Sequence, residues 1–170
     1  IRYINSGDNL GYAGGINLGV SNTDADLLIF MNADVIVNQG CLKTLCQPLQ
    51  KNVGAVGPRF YWDAQCKVML PPTEQYTPFD EVLRRLSPKH PVFSRWAQQR
   101  WRRHARCHWE SSQPITSYTL SGAMLAIRKD VWEQVGEFDS QYKLYFEEND
   151  WLERLKKQGF IAQYVPQATA

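Results

Sequence analysis

Asp26-Leu27-Leu28-Ile29-Phe30-Met31-Asn32-Ala33-Asp34 is the stretch from which the fold can be read. Its apolar run has strand length and stops at a polar triplet. A run apolar at every position fits a central parallel strand buried on both faces. Val35 to Val37 is expected to extend it, and Asn38 can cap a helix that aligns Leu42, Leu45 and Leu49. Upstream, Ile1 to Asn5 alternates like a short strand. Ser6 to Gly14 is polar and glycine-rich, and a helix is predicted from about Gly14 to Ser21. Downstream, Val53 to Phe60 reads as another strand. Strands and helices alternate, so an α/β domain with a mainly parallel sheet flanked by helices follows.

The pattern breaks between Tyr61 and Ser117. Pro71, Pro72, Pro78, Pro88, Pro91 and Pro114 punctuate this stretch, so helices near 80–87 and 93–105 are expected to be short. Regular structure resumes with a glycine-interrupted strand over Tyr118 to Ile127. A helix from Lys129 to Val135 follows, with Gly136 at the C-terminal cap position. A helix from about Asn149 to Gln158 and a strand from Phe160 to Val165 complete the reading.

With 44% hydrophobic residues in 170, the chain can build a core, which excludes intrinsic disorder. No apolar run approaches the roughly 20 residues that cross a bilayer. Cys41, Cys46, Cys66 and Cys107 form no CxxC pattern, which argues against a disulfide scaffold or zinc site and predicts reduced thiols in a cytoplasmic protein. Residues 82–108 hold eight basic side chains (Arg84, Arg85, Lys89, Arg95, Arg100, Arg102, Arg103, Arg106) and no acid. The remainder carries 11 basic against 17 acidic residues, so a basic insert sits on an acidic body and predicts an anionic partner surface. His90, His104 and His108 fall in this stretch and are expected to be solvated.

Three clusters carry candidate chemistry. Asp34 follows a strand end, where open parallel sheets bind ligands, so it could hold Mg²⁺ or Mn²⁺ beside a diphosphate. An ordinary turn uses the same residue types. Glu147-Glu148-Asn149-Asp150 puts three carboxylates at a helix start. Plain complementarity to the helix dipole, with Asp150 paired to Arg154, explains that equally well. Their setting among Tyr142, Leu144, Tyr145, Phe146 and Trp151 also suits a general base whose pKa is raised by desolvation. Gly11-Tyr12-Ala13-Gly14-Gly15 could offer backbone N–H groups to phosphate, although it matches neither GxGxxG nor GxxxxGK.

Taken in order, these segments resemble family 2 glycosyltransferases with the GT-A fold, especially the rhamnosyltransferase-like branch. Asn9-Leu10-Gly11-Tyr12-Ala13-Gly14-Gly15-Ile16-Asn17-Leu18-Gly19 is similar to "NLGYAGGNNLG", and Leu28 to Val35 to "LLLNPDV", a local form of the DxD metal motif. Ser121 to Arg128, Val135 to Asp139, and Tyr145 to Arg154 resemble "SGAxxLIRR…VGGFDE…YFEDVDLxxR". Gly159-Phe160 and Tyr164-Val165-Pro166 resemble "GY…YVP". Residues 61–116 lie outside the likeness. Asn32 replaces the first acid of a full DxD, and Glu148 stands where Asp is usual.

The resemblance implies an inverting transfer of a sugar, with dTDP-rhamnose a candidate donor, to a hydroxyl of a glycan or lipid-linked acceptor in cell-surface polysaccharide synthesis. It implies Glu148 as catalytic base. It places Asn9, Gly11, Gly14, Asn17, Asn32 and Asp34 at the nucleotide-sugar, with Asp34 holding a divalent metal (Mg²⁺ or Mn²⁺) that is weakly required. Gly122, Glu147 and Trp151 are implied at the acceptor. The chain then reads as a single catalytic domain over 1–170 with a basic Pro/Trp-rich insert at about 61–116. It is expected to be truncated at both ends, to lack the first strand-helix-strand unit, and to be inactive alone. A cytoplasmic location at the inner face of the membrane, peripheral contact with anionic lipid and no nucleic-acid partner are expected. The rivals are a non-catalytic module binding lipid or nucleic acid, and a nucleotidyltransferase. The latter needs a basic phosphate-gripping loop near the start, yet residues 3–25 contain no Lys or Arg. The former is separated by whether Asp34 and Glu148 face one cleft.

Overall fold

A computed structural model describes residues 2–73, 82, 85, 91–142 and 145–170. Apart from Val82 and Arg85, which are helical, the helix expected near 80–87 lies outside the described residues, as do Arg84, Lys89, His90 and Leu144. The elements run α1 (Gly11–Ser21), β1 (Leu27–Met31), α2 (Cys41–Cys46), β2 (Val53–Arg59), α3 (Pro91–Trp109), β3 (Ile115–Thr116), β4 (Met124–Arg128), α4 (Lys129–Val135), α5 (Glu147–Lys157) and β5 (Ile161–Thr169).

The α/β architecture expected from the sequence is present, as one five-stranded sheet in the order β1-β4-β2-β5-β3. β1, β2 and β5 share a direction, but β4 runs antiparallel between β1 and β2. Only the β2–β5 pairing is parallel, and β3 pairs antiparallel with β5. The mainly parallel sheet therefore holds for strand direction and not for pairing. Insertion of β4 brings its amino end beside the carboxyl end of β1, with Met31 opposite Met124. That juxtaposition builds the site.

β4 and β2 alternate their side chains between two cores. Leu125 and Ile127 join Leu28, Phe30, Trp132, Phe138, Trp151 and Leu155 under α1, α4 and α5. Met124 and Ala126 join Leu45, Val56 and Val165 under α2. Gly54 lets α4 and α5 close on β2, since a Cβ there would sit 2.7 Å from Val131 Cγ1. β1 departs from the expected double burial. Leu28 and Phe30 are buried in the core, while Leu27, Ile29 and Met31 point to the other face, where neither core cluster reaches them. Its apolar run reflects strand propensity plus one buried face.

Several boundaries moved for local reasons. Residues 2–5 form no strand, and Val35 to Val37 is irregular because Asn32 to Val35 turns, with the Val35 N–H donating to the Asn32 carbonyl at 3.3 Å. Asn38 does not cap α2; its amide donates to Thr169 Oγ1 at 3.0 Å, and Gly40 holds the cap position at φ +80°. In the insert, α3 runs 19 residues instead of a short turn. Pro91 occupies its first position, where a missing N–H costs nothing, so the prolines bound the helix without breaking it.

Arg59, the last residue of β2, anchors the end of α3. Its Nη2 donates to the carbonyls of His108 at 3.0 Å, Trp109 at 3.2 Å and Ser111 at 2.9 Å, and its Nε donates to Tyr164 Oη at 2.8 Å. These are carbonyls that a helix C-terminus leaves unpaired, at the negative end of the dipole. His108 is not solvated, contrary to expectation. It is buried, its Nδ1 donates to the His104 carbonyl at 3.0 Å, and Ser117 Oγ lies 3.2 Å from its Nε2. Burial pushes its pKa down. His104 is half-buried with Nε2 3.0 Å from the Thr73 carbonyl. All four cysteines are free thiols.

Candidate active site

The turn after β1 rests on the segment before β4, where the Asn32 N–H donates to the Ala123 carbonyl at 2.9 Å. Beyond it, the exposed Asp34 lines a cavity of about 340 Å³ with Asn32, Asn38, Trp62, Asp63 and Ser121. Asp63 is already committed to local backbone. Its carboxylate accepts from the Val68 N–H at 2.7 Å and from the Lys67 N–H, which holds its pKa down. Among the described residues, no group of three or more His, Cys, Asp or Glu could hold a metal by itself. A single carboxylate at the mouth of a cavity fits a Mg²⁺ or Mn²⁺ ion that takes its remaining ligands from diphosphate and water.

Glu148 also meets this segment, at Gly122. It is the second residue of α5, and the Gly122 position has only hydrogen facing it. A Cβ there would stand 3.4 Å from Glu148 Cδ. Glu148 is buried, and that burial raises its pKa; Glu147 raises it further, while the Glu148 and Gly122 backbone amides pull it back. Tyr145 and Phe146 precede it at φ +67° and +73°, left-handed values that cost non-glycine residues about 1–3 kcal/mol each. This strained pair turns the chain sharply into α5. Glu148 lines a second cavity, of about 300 Å³, with Pro72, Thr73, Trp101, Tyr145, Phe146 and Asn149.

Ser121-Gly122-Ala123 is therefore the shared wall. Ser121 and Ala123 line the Asp34 cavity, and Gly122 backs Glu148. Asp34 and Glu148 line separate cavities that meet the same Ser121–Ala123 segment, and not the one cleft expected from the sequence. A narrow space of about 70 Å³ lies between, sharing Leu70 and Ser121 with the first and Pro72 and Thr73 with the second.

Other sequence-derived site residues have different tasks. Asn17 clasps the Phe138 peptide: its Nδ2 donates to the carbonyl at 2.9 Å and its Oδ1 accepts the N–H at 3.1 Å, which ties α1 to the segment after α4. Trp151 is fully buried, stacked 5.7 Å from Trp132, with its indole N–H donated to the Gly136 carbonyl at 2.7 Å, so no acceptor can reach it. Asn9 Oδ1 accepts the Gly11 N–H at 3.0 Å, and Gly11 sits at φ +69°, which shapes the start of α1. Gly14 packs against Leu10, whose Cβ would be 2.8 Å from an added methyl. Glu147 is buried, with Oε2 lacking a hydrogen-bond partner, and lines neither cavity. Asp150 pairs with Arg154 at 2.8 Å, as its helical spacing predicts.

Two residues went unassigned by sequence. Tyr12 donates its hydroxyl to the Gly122 carbonyl and stands near both glutamates; burial and those charges push its pKa up to about 12. Its place inside the glycine-rich segment was a signal that drew attention to backbone instead. Trp101 enters the Glu148 cavity from α3, outside the motif segments read in the sequence, and no periodicity distinguished it from its neighbours.

A three-layer α/β domain with carboxylates at the β1/β4 edge defines the GT-A class of glycosyltransferase fold. The mannosyltransferase PcManGT from Pyrobaculum calidifontis, in complex with GDP-Man and Mn²⁺, has a TM-score of 0.54 at 15% identity over 94% of this chain and 35% of its own. GalNAc-T7 with UDP, GalNAc and Mn²⁺ gives 0.59 at 13%, over 94% and 30%. The chain belongs to the glycosyltransferase like family 2, whose model matches residues 1–170. It is 30% identical over 187 residues to the N-acetylglucosaminyl-diphospho-decaprenol L-rhamnosyltransferase of Mycobacterium tuberculosis, covering 99% of this chain and 57% of the relative. It is 24% identical to the low-salt glycan biosynthesis hexosyltransferase Agl10 of Haloferax volcanii, covering 94% and 47%. The chain thus spans about half the length of these curated relatives.

Proposed function

We propose that this chain carries the catalytic centre of an inverting glycosyltransferase that moves a sugar from a nucleotide-sugar to a hydroxyl of a glycan or lipid-linked acceptor. The observation that carries the reading is that both carboxylates meet the Ser121-Gly122-Ala123 segment, Glu148 packed on Gly122 and Asp34 in the cavity lined by Ser121 and Ala123. Inversion is a single in-line displacement, so base and leaving group belong on opposite sides of the anomeric carbon.

Glu148 takes the proton from the attacking hydroxyl. A buried carboxylate with a raised pKa is a stronger base than an exposed one and is kept from water. Tyr12 fixes the Gly122 carbonyl and so holds the wall against which Glu148 rests. Asp34, with Asn32 beside it, would hold Mg²⁺ or Mn²⁺, and the metal supplies positive charge to the departing diphosphate. Asn9, Gly11 and Gly14 shape the start of α1, which puts Tyr12 in place.

The mycobacterial relative is named for a rhamnosyl transfer to a diphospholipid-linked N-acetylglucosamine, which favours a rhamnosyl donor such as dTDP-rhamnose and a polyprenyl diphosphate acceptor. α3 suits that acceptor. Arg95, Arg102, Arg103 and Arg106 are exposed along it with Val92 and Trp96, and no helix among the described residues is long and apolar enough to cross a membrane. The exposed arginines support peripheral contact with anionic lipid at the cytoplasmic face, each contributing about 1 kcal/mol near such a surface. Transfer by the full chain from a panel of nucleotide-sugars with Mn²⁺, with the product's anomeric configuration read by NMR, tests the reading. The expected product is inverted at the anomeric carbon; a retained configuration rejects Glu148 as base.

A further inference from the structure

The two cavities differ in their walls. The Asp34 cavity offers carboxylate, amide and hydroxyl groups. The Glu148 cavity is bounded chiefly by Trp101, Tyr145, Phe146 and Pro72 around one buried carboxylate. At about 300 Å³ it lies at the small end of ligand pockets and has room for one pyranose ring. A smaller space of about 70 Å³ shares Leu70 and Ser121 with the first and Pro72 and Thr73 with the second.

Trp101 is fixed in that wall. Its ring sits edge-to-face with Trp109 at 5.7 Å, and the Trp109 indole N–H donates to the Leu70 carbonyl at 3.1 Å. Trp101 remains 37% exposed and lines the cavity. An indole face beside a general base suits the apolar C–H face of a pyranose, with the ring's hydroxyls left to reach Glu148.

We propose that the Trp101, Tyr145, Phe146 and Glu148 cavity is the acceptor subsite, taking a single pyranose ring stacked on Trp101. This rests on the glycosyl-transfer reading and deepens it: a residue of α3, far in sequence from the acid motifs, sets acceptor affinity. It also replaces Trp151 in the role the sequence suggested. Because Trp101 and the outward arginines share α3, the helix that meets the lipid surface also grips the sugar presented there.

The probe is N-acetylglucosaminyl diphosphate on a short polyprenol, added to the full chain and to Trp101→Phe and Trp101→Ala, with binding read by intrinsic fluorescence without turnover. The wild type is expected to show quenching on addition. Trp101→Phe should lose most of the quenching yet keep affinity within about threefold, and Trp101→Ala should weaken acceptor binding about tenfold. Donor affinity, measured by calorimetry with dTDP-rhamnose, should stay within twofold in both. Wild-type acceptor affinity in both variants with unchanged quenching would overturn the subsite, as would equal losses for donor and acceptor. Absence of transfer in the wild type despite acceptor quenching would instead strike the catalytic reading and leave the subsite standing.

Discussion

Replacing Arg59 separates the fold of the sheet from the docking of α3. Its guanidinium joins β2 to three carbonyls at and beyond the end of α3, and to Tyr164 on β5. A hydrogen bond to a charged donor contributes about 1.5–3 kcal/mol. Three carbonyls share one Nη2, whose two protons allow about two full bonds, and partial exposure screens them. A net loss of about 3 kcal/mol is expected for Arg59→Met, and about half that for Arg59→Lys, which keeps charge but loses the fork. For a chain of this size each kcal/mol shifts Tm by about 2–4 °C, so Arg59→Met should melt about 6–12 °C lower. The same variant should raise the acceptor KM through Trp101 while donor binding is unchanged. Calorimetric melting and two-substrate kinetics on the full chain read both effects. If both variants melt within a degree of the wild type, the carbonyl clamp does not hold α3 and the reasoning fails.

Two further outcomes follow. Glu148 has a raised pKa in the folded protein, so its stabilising contribution is complete below the usual carboxylate range and is lost as pH rises through the folded value. Glu148→Gln should therefore melt higher than wild type at pH 7–8, with the difference shrinking toward pH 4; a variant less stable at neutral pH would show that burial of the charge carries no cost. Sedimentation with phosphatidylglycerol vesicles should capture the full chain in a salt-sensitive way, and Arg102→Ser with Arg103→Ser and Arg106→Ser should weaken it, whereas equal capture by neutral vesicles would remove the anionic-surface role of α3.

The sequence was most legible where segment order and helix chemistry agreed. The Asp34 turn, the acid-rich start of α5 and the α4 boundary with its Gly136 cap all appear as read, because each is decided within a few residues. Pairing was not legible. β4 and a central parallel strand look alike as apolar runs, and the exposed face of β1 depends on which helices cover the sheet, which the run itself does not encode. The aromatic neighbours of Glu148 misled for a helical reason: Trp151 lies three residues on and turns into the core with Leu152 and Leu155. Trp101 is nearly fifty residues distant in sequence, and its approach depends on the Arg59 clamp, which no local pattern announces.

The central claim is that Glu148 accepts the proton of the attacking hydroxyl while Asp34, at the same Ser121–Ala123 segment, serves the donor diphosphate. Glu148→Gln keeps the shape of the side chain and removes its basicity. In the full chain with donor, acceptor and Mn²⁺, transfer should fall about 10²- to 10⁴-fold, as loss of a general base typically does, with nucleotide-sugar affinity by calorimetry unchanged. Transfer within a few-fold of wild type, or loss of donor binding in parallel with loss of transfer, would contradict that assignment.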